Sequence, residues 1–167
     1  MKAIHIADTG LFVAMGNESK RRYQVVRTFA RRNGLTFAVP ERVYDELTVD
    51  STDAERLPVD AAIDEGWVRV ADPLSYSIPL VSRTMDGVQR YIANADGRPA
   101  DEIERADPAL AAVAAQAFVD GEVDHAYIYT TDRLAGEGAE SVLGSEGYGD
   151  SVTYINGFRF IEELLES

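Results

Sequence analysis

The chain has 167 residues, 46% of them hydrophobic, which suits one domain that buries its own core and excludes a disordered chain. It contains no cysteine, so disulfides and thiolate metal sites are excluded, and its two histidines, His5 and His125, stand too far apart in sequence to suggest a histidine-rich zinc site. Sixteen basic residues against 29 acidic ones give a net charge of −13.

No apolar run is long enough to span a membrane, and Met1–Asp8 is too short and too soon acidic for a signal peptide. A soluble, cytoplasmic protein with no membrane partner is expected. Ala3–Ala7 is apolar with β-branched residues and reads as a buried strand that ends in a polar turn, Asp8-Thr9-Gly10. From Asn17 to Asn33 the pattern is helical, with Tyr23, Val26, Phe29 and Ala30 on one face and Asn33-Gly34 as the stop. Thr36–Val39 is a second strand, and Pro40 opens a helix that turns Val43, Leu47 and Tyr44 inward. Asp53–Glu65 is helical with Pro58 in its first turn, followed by a third strand at Trp67–Ala71 and a loop from Pro73 to Pro79. Leu80–Ala95 is a helix, Asn94–Ala106 a polar surface stretch or frayed helix start, and Asp107–Val119 an alanine-rich helix. Ala126–Thr130 is a fourth strand, Gly136–Gly149 with its five glycines is irregular, Val152–Ile155 is a fifth strand and Phe158–Leu165 a closing helix. Strands that alternate with helices imply one α/β domain over residues 1–167, with a mainly parallel five-stranded sheet covered on both faces.

The charge is unevenly spread. Between Lys20 and Arg42 lie seven basic residues and one acid, so this island is +6 and the remainder −19. Arginine binds phosphate bidentately, which makes Arg21, Arg22 and Arg31 candidate phosphate contacts; the alternative is the solvated face of a helix.

Ligands of parallel sheets bind at the carboxyl ends of the strands. Asp8 ends the first strand, Asp132 follows the fourth, Asp107 opens the helix before the fourth, and Glu46 lies in the helix after the second. Each has an ordinary structural use: Asp8 an Asx-turn, Asp107 an N-cap ahead of Pro108, Asp132 a turn cap, and Glu46 an exposed helical glutamate. Asp150 reads as a turn residue before the last strand or an outer contact of the site, and His5 as a packed histidine without a catalytic role. The sequence has no glycine-rich phosphate loop and no G-x-S-x-G elbow, and without cysteine a Cys–His pair is impossible. Several carboxylates and nothing else suit a hard cation, Mg²⁺ or Mn²⁺, which can polarise a phosphodiester and activate water.

Ile6-Ala7-Asp8-Thr9, Pro40-x-x-Val43-x-x-Glu46-Leu47, Asp107-x-x-Leu110-Ala111-x-x-Ala114 and Thr130-x-Asp132-x-Leu134 together resemble the four blocks of PIN domains, in order and across nearly the whole chain. That family comprises metal-dependent ribonucleases, among them VapC-type toxins and RNA-processing enzymes. The resemblance implies a three-layer α/β/α fold with sheet order 3-2-1-4-5. It also implies that Asp8, Glu46, Asp107 and Asp132 hold one or two Mg²⁺ or Mn²⁺ ions, with Thr130 as the auxiliary hydroxyl beside the last acid. RNA is the implied substrate, and an antitoxin protein and a second copy of the chain are further candidate partners. The stretch from Ser51 to Arg105 is longer than in compact toxins of this type. An acidic surface with only two lysines, Lys2 and Lys20, against 14 arginines resembles proteins of salt-accumulating halophiles, in which dense carboxylates maintain hydration. A rival reading is a PIN-like module that binds RNA or protein without cleaving it; another is a small α/β binding module whose acids are merely halophilic surface.

Overall fold

A computed structural model describes residues 2–48, 58–99 and 106–167. Its five strands are β1 (Ala3–Ala7), β2 (Phe37–Val39), β3 (Val68–Val70), β4 (His125–Thr130) and β5 (Val152–Asn156). They form one sheet in the order β3-β2-β1-β4-β5, and every pairing is parallel. The registers place Ile6 beside Ala38 and Ile128, and Thr130 beside Asn156.

The helices divide between the two faces. α1 (Thr9–Met15), α2 (Arg21–Arg32) and α8 (Gly157–Glu166) pack together on one side, while α5 (Pro79–Asp96), α6 (Ala106–Val119) and α7 (Arg133–Leu143) pack together on the other. α3 (Glu41–Thr48) follows β2 and α4 (Pro58–Asp64) precedes β3. On the first face the sheet carries His5, Phe37 and Tyr129, and Phe160 of α8 meets the rings of Phe37 and Tyr129. The other face is different in kind. Ala109, Ala111, Ala112, Ala114 and Ala115 of α6 are all fully buried. A helix apolar all round belongs in the middle of a layer, and alanine lets it approach β1 and β4 closely. Among the described residues, no helix is long and apolar enough to cross a membrane.

Two stretches differ from the expectation. Asp8-Thr9-Gly10 is the start of α1 and not just a turn, because the Asp8 carboxylate caps it by accepting the Leu11 amide. The glycine-rich stretch 136–149 is largely ordered: α7 covers its first half, and a π turn (Gly144–Tyr148) and a 3₁₀ turn (Gly149–Ser151) complete it. Two of its glycines, Gly136 and Gly138, serve packing. A Cβ on Gly136 would stand 2.3 Å from the Tyr154 ring, and one on Gly138 would stand 3.0 Å from the Tyr91 ring. Asp107 lies in the first turn of α6, which starts one residue earlier than the expected cap. The expected helical residues Asp53–Leu57 and the polar stretch 100–105 lie outside the described residues.

Candidate active site at the carboxyl edge of the sheet

Asp8 and Asp132 leave neighbouring strands, β1 and β4, at the same edge, and each starts the next helix. Asp132 Oδ1 accepts the amides of Leu134 at 2.9 Å and Ala135 at 3.3 Å, as the N-cap of α7. Asp8 Oδ1 accepts the Leu11 amide at 2.9 Å, and the Asp8 amide donates to the Tyr129 carbonyl at 3.2 Å. The Thr130 hydroxyl joins the two acids: it donates to Asp8 Oδ2 and accepts the Asp132 amide at 3.0 Å. Among the described residues, Asp8 and Thr130 are two of the three buried polar side chains, with Asp8 only 6% exposed.

Burial pushes the Asp8 carboxyl above its ordinary range. Hydrogen bonds from Thr130 and from the Leu11 and Thr131 amides oppose the shift, and the nearby Asp132 charge adds to it. The two acids therefore share one electrostatic environment.

Glu46 is exposed on α3, and its Oε2 accepts the Thr9 hydroxyl at 2.7 Å. Thr9 follows Asp8 directly, so this bond holds α3 against the same edge. The sequence reading missed Thr9; the only available signal was a hydroxyl residue next to a strand-end acid. Asp107 stands in the first turn of α6, whose helix packs on β1, β4 and α3. The structure thus brings Asp8 and Asp132 together and tethers Glu46 nearby. Among the described residues, no three acids or histidines gather closely enough to hold one metal ion.

Glycines make this edge compact. A Cβ on Gly10 would fall 1.8 Å from Thr131 Oγ1, and one on Gly157 would fall 3.0 Å from Thr131 Cγ2. The end of β4 therefore passes closely between the first turns of α1 and α8. Asn156, at the end of β5, caps α8 by accepting the Arg159 amide at 3.1 Å. The N-termini of α1, α7 and α8 lie at this edge, and their partial positive charge offsets some of the carboxylate repulsion.

The other singled-out residues lie elsewhere. Asp150 is exposed in the 3₁₀ turn before β5. His5 Nδ1 is hydrogen-bonded to the Tyr129 hydroxyl at 2.8 Å and the ring stacks on Tyr127, in keeping with a packing role. Arg21, Arg22 and Arg31 are all exposed on α2. Arg31 is ion-paired with Glu65 at 3.1 Å, as is Arg27 at 3.0 Å. Arg31 shortly precedes β2 and Glu65 shortly precedes β3, so this pair sits by the amino ends of those strands, opposite the acids.

The chain matches the family model described as the halobacterial PIN domain over residues 1–167. It belongs to that family, whose members share a fold generally associated with nucleases. No match to the chain is found among curated proteins or among solved structures.

Proposed function

We propose that this chain is a metal-dependent endoribonuclease, acting as a VapC-type toxin or as an RNA-processing enzyme. The observation that carries the reading is the Asp8–Thr130–Asp132 link, with Asp8 and Thr130 buried, at the carboxyl edge of a PIN sheet.

The donor set suits a hard cation. Every candidate ligand is an oxygen; the two amides that hold Asp132 fall on its Oδ1 and leave Oδ2 to face a cation. Magnesium is commonly held by only one or two carboxylates, completing its shell with waters and substrate phosphate. Asp8 and Asp132 satisfy that minimum, with Glu46 and Asp107 as the additional acids of the set. When bound, Mg²⁺ or Mn²⁺ would polarise the phosphodiester and lower the pKa of a bound water. Thr130 fixes the direction of the Asp8 carboxylate and, through the Asp132 amide, the start of α7. Thr9 holds Glu46 at the rim until substrate or cation competes for its oxygen. Arg21, Arg22 and Arg31 would contact the RNA backbone, Arg31 only once Glu65 releases it.

The test is cleavage of single-stranded RNA by purified protein with Mg²⁺ or Mn²⁺. Cleavage should stop with a chelator and fall by orders of magnitude in Asp8→Asn while the fold persists. Cleavage that survives both changes overturns the metal mechanism. A second reading, RNA or protein binding without cleavage, is favoured by the absence of a three-acid cluster among the described residues. It predicts metal-independent binding and no cut product. The toxin role predicts a tight complex with an antitoxin protein that suppresses cleavage.

A further inference from the structure

A cleft of about 360 Å³ opens beside the candidate site, within the usual range for small-ligand pockets. Its walls include Pro40 after β2, Arg42 and Asp45 of α3, Asp72 after β3, Tyr76 of the following loop and Ala109 of α6. Pro40 and Asp72 place it at the carboxyl edge of the sheet. It shares α3 with Glu46 and α6 with Asp107. Arg42 and Glu46 are four residues apart, hence on one face of α3.

The loop carrying Tyr76 is fastened. Gln116 of α6 accepts the Ser75 amide at 2.7 Å and donates to the Pro73 carbonyl at 3.0 Å. The Ser82 hydroxyl donates to the Tyr76 carbonyl. Tyr76 is nonetheless 46% exposed, one of few large hydrophobic residues left in solvent among the described residues. A rigidly held, solvent-facing aromatic at the mouth of a cleft loses little freedom when a flat partner stacks on it.

The charges select the partner. Glu41, Asp45 and Asp72 outnumber Arg42 in the lining, which disfavours a phosphate inside the cleft. Carboxylates accept hydrogen bonds, and the exocyclic amino groups of adenine, cytosine and guanine donate them. Stacking does not depend on screened charge, so it persists at the salt concentrations that weaken phosphate contacts.

We propose that this cleft is a nucleobase pocket of the RNA substrate, in which an unstacked base beside the scissile phosphate stacks on Tyr76 and presents its amino edge to Asp45 or Asp72. The proposal rests on the ribonuclease reading above, and it gives the substrate as single-stranded with a preference for amino-bearing bases over uracil.

The test uses end-labelled RNA pentamers of adenylate, cytidylate and uridylate, bound by the full chain in chelator so that nothing is cut. Adenylate and cytidylate should bind at least threefold more tightly than uridylate. Tyr76→Ala should weaken the two preferred pentamers about tenfold, Tyr76→Phe should stay within twofold of wild type, and Asp45→Asn should narrow the base preference. Thermal melts confirm that the variants fold. Equal affinities for wild type and Tyr76→Ala, or no binding of any pentamer by wild type, overturn the pocket. Cleavage of longer RNA with Mn²⁺ is measured in parallel. Wild-type cleavage with pentamer binding unaltered in Tyr76→Ala overturns the pocket alone. Tyr76-dependent, base-selective binding without cleavage supports the pocket and overturns the nuclease reading alone.

Discussion

The hydroxyl of Thr130 donates to the carboxylate of Asp8 across 122 positions of sequence. That bond is made where β1 and β4 lie side by side, and the same hydroxyl receives the Asp132 amide. One oxygen thereby sets the geometry of both acids.

Removing that oxygen while keeping the shape separates positioning from packing. Thr130→Val leaves a buried carboxylate oxygen and the Asp132 amide without their partner, which costs about 1–3 kcal/mol. Its melting temperature should fall and RNA cleavage should fall further than stability alone explains. Thr130→Ser restores the hydroxyl and should recover most of both. Equal cleavage in Thr130→Val and wild type at a temperature where both are folded would remove Thr130 from the site.

The two acids also make a prediction about metal. A cation that binds only the folded protein raises stability with the logarithm of its concentration. Asparagine can still cap α7, so Asp132→Asn should leave the chelated protein as stable as wild type or slightly more stable, since the repulsion on Asp8 falls. The stabilisation by Mn²⁺ should largely disappear. Thermal melts of both proteins at constant high ionic strength, with chelator and with Mn²⁺, read the difference; identical Mn²⁺ shifts would exclude Asp132 as a ligand.

Glu65 gives a prediction for pH. Burial would raise its pKa, but the Tyr23 hydroxyl and the Arg27 and Arg31 guanidiniums outweigh that and hold the carboxyl below the usual glutamate range. A depressed folded-state pKa means that the unfolded chain takes up the proton first, so this contribution is full above the unfolded pKa and is lost as pH falls through the folded one. Glu65→Gln should therefore cost about 1 kcal/mol at pH 7 and nothing measurable at the acid end. Urea melts from pH 7 down to about pH 3 test this; a mutant penalty independent of pH would contradict the ion-pair account.

The glycines of the former loop stretch divide into two kinds. Gly136→Ala drives a methyl into the Tyr154 ring and should destabilise by about 1–3 kcal/mol, against a gain of at most ~1 kcal/mol in helix propensity. Gly144 has helical angles, φ −60° and ψ −43°, and its Cβ would meet nothing nearer than the Gly149 Cα at 3.8 Å. Gly144→Ala should be neutral or stabilising by up to ~1 kcal/mol. Denaturant melts should show a loss of stability for Gly136→Ala and none for Gly144→Ala.

By itself, the sequence determined the alternating strand and helix order, because a period of 2 against 3.6 and the Pro and Gly stops are local signals. It also determined that Asp8 and Asp132 stand at strand ends, since strand-end acids are visible wherever a strand is; that those two strands are neighbours was implied only by the family resemblance. It could not show α1, whose cap is the same Asp8 that reads as a turn. Nor could it separate a glycine needed for close packing from one needed for a bend: Gly136 and Gly138 face rings, Tyr154 and Tyr91, from distant parts of the chain. Only the tertiary structure decided that Thr130 joins the two acids, that Thr9 holds Glu46, and that Glu65 engages Arg31 at the opposite edge of the sheet. Those relations depend on which strands become neighbours and on where each helix leaves the sheet, and no local spacing encodes distances between residues that only the packed sheet brings together.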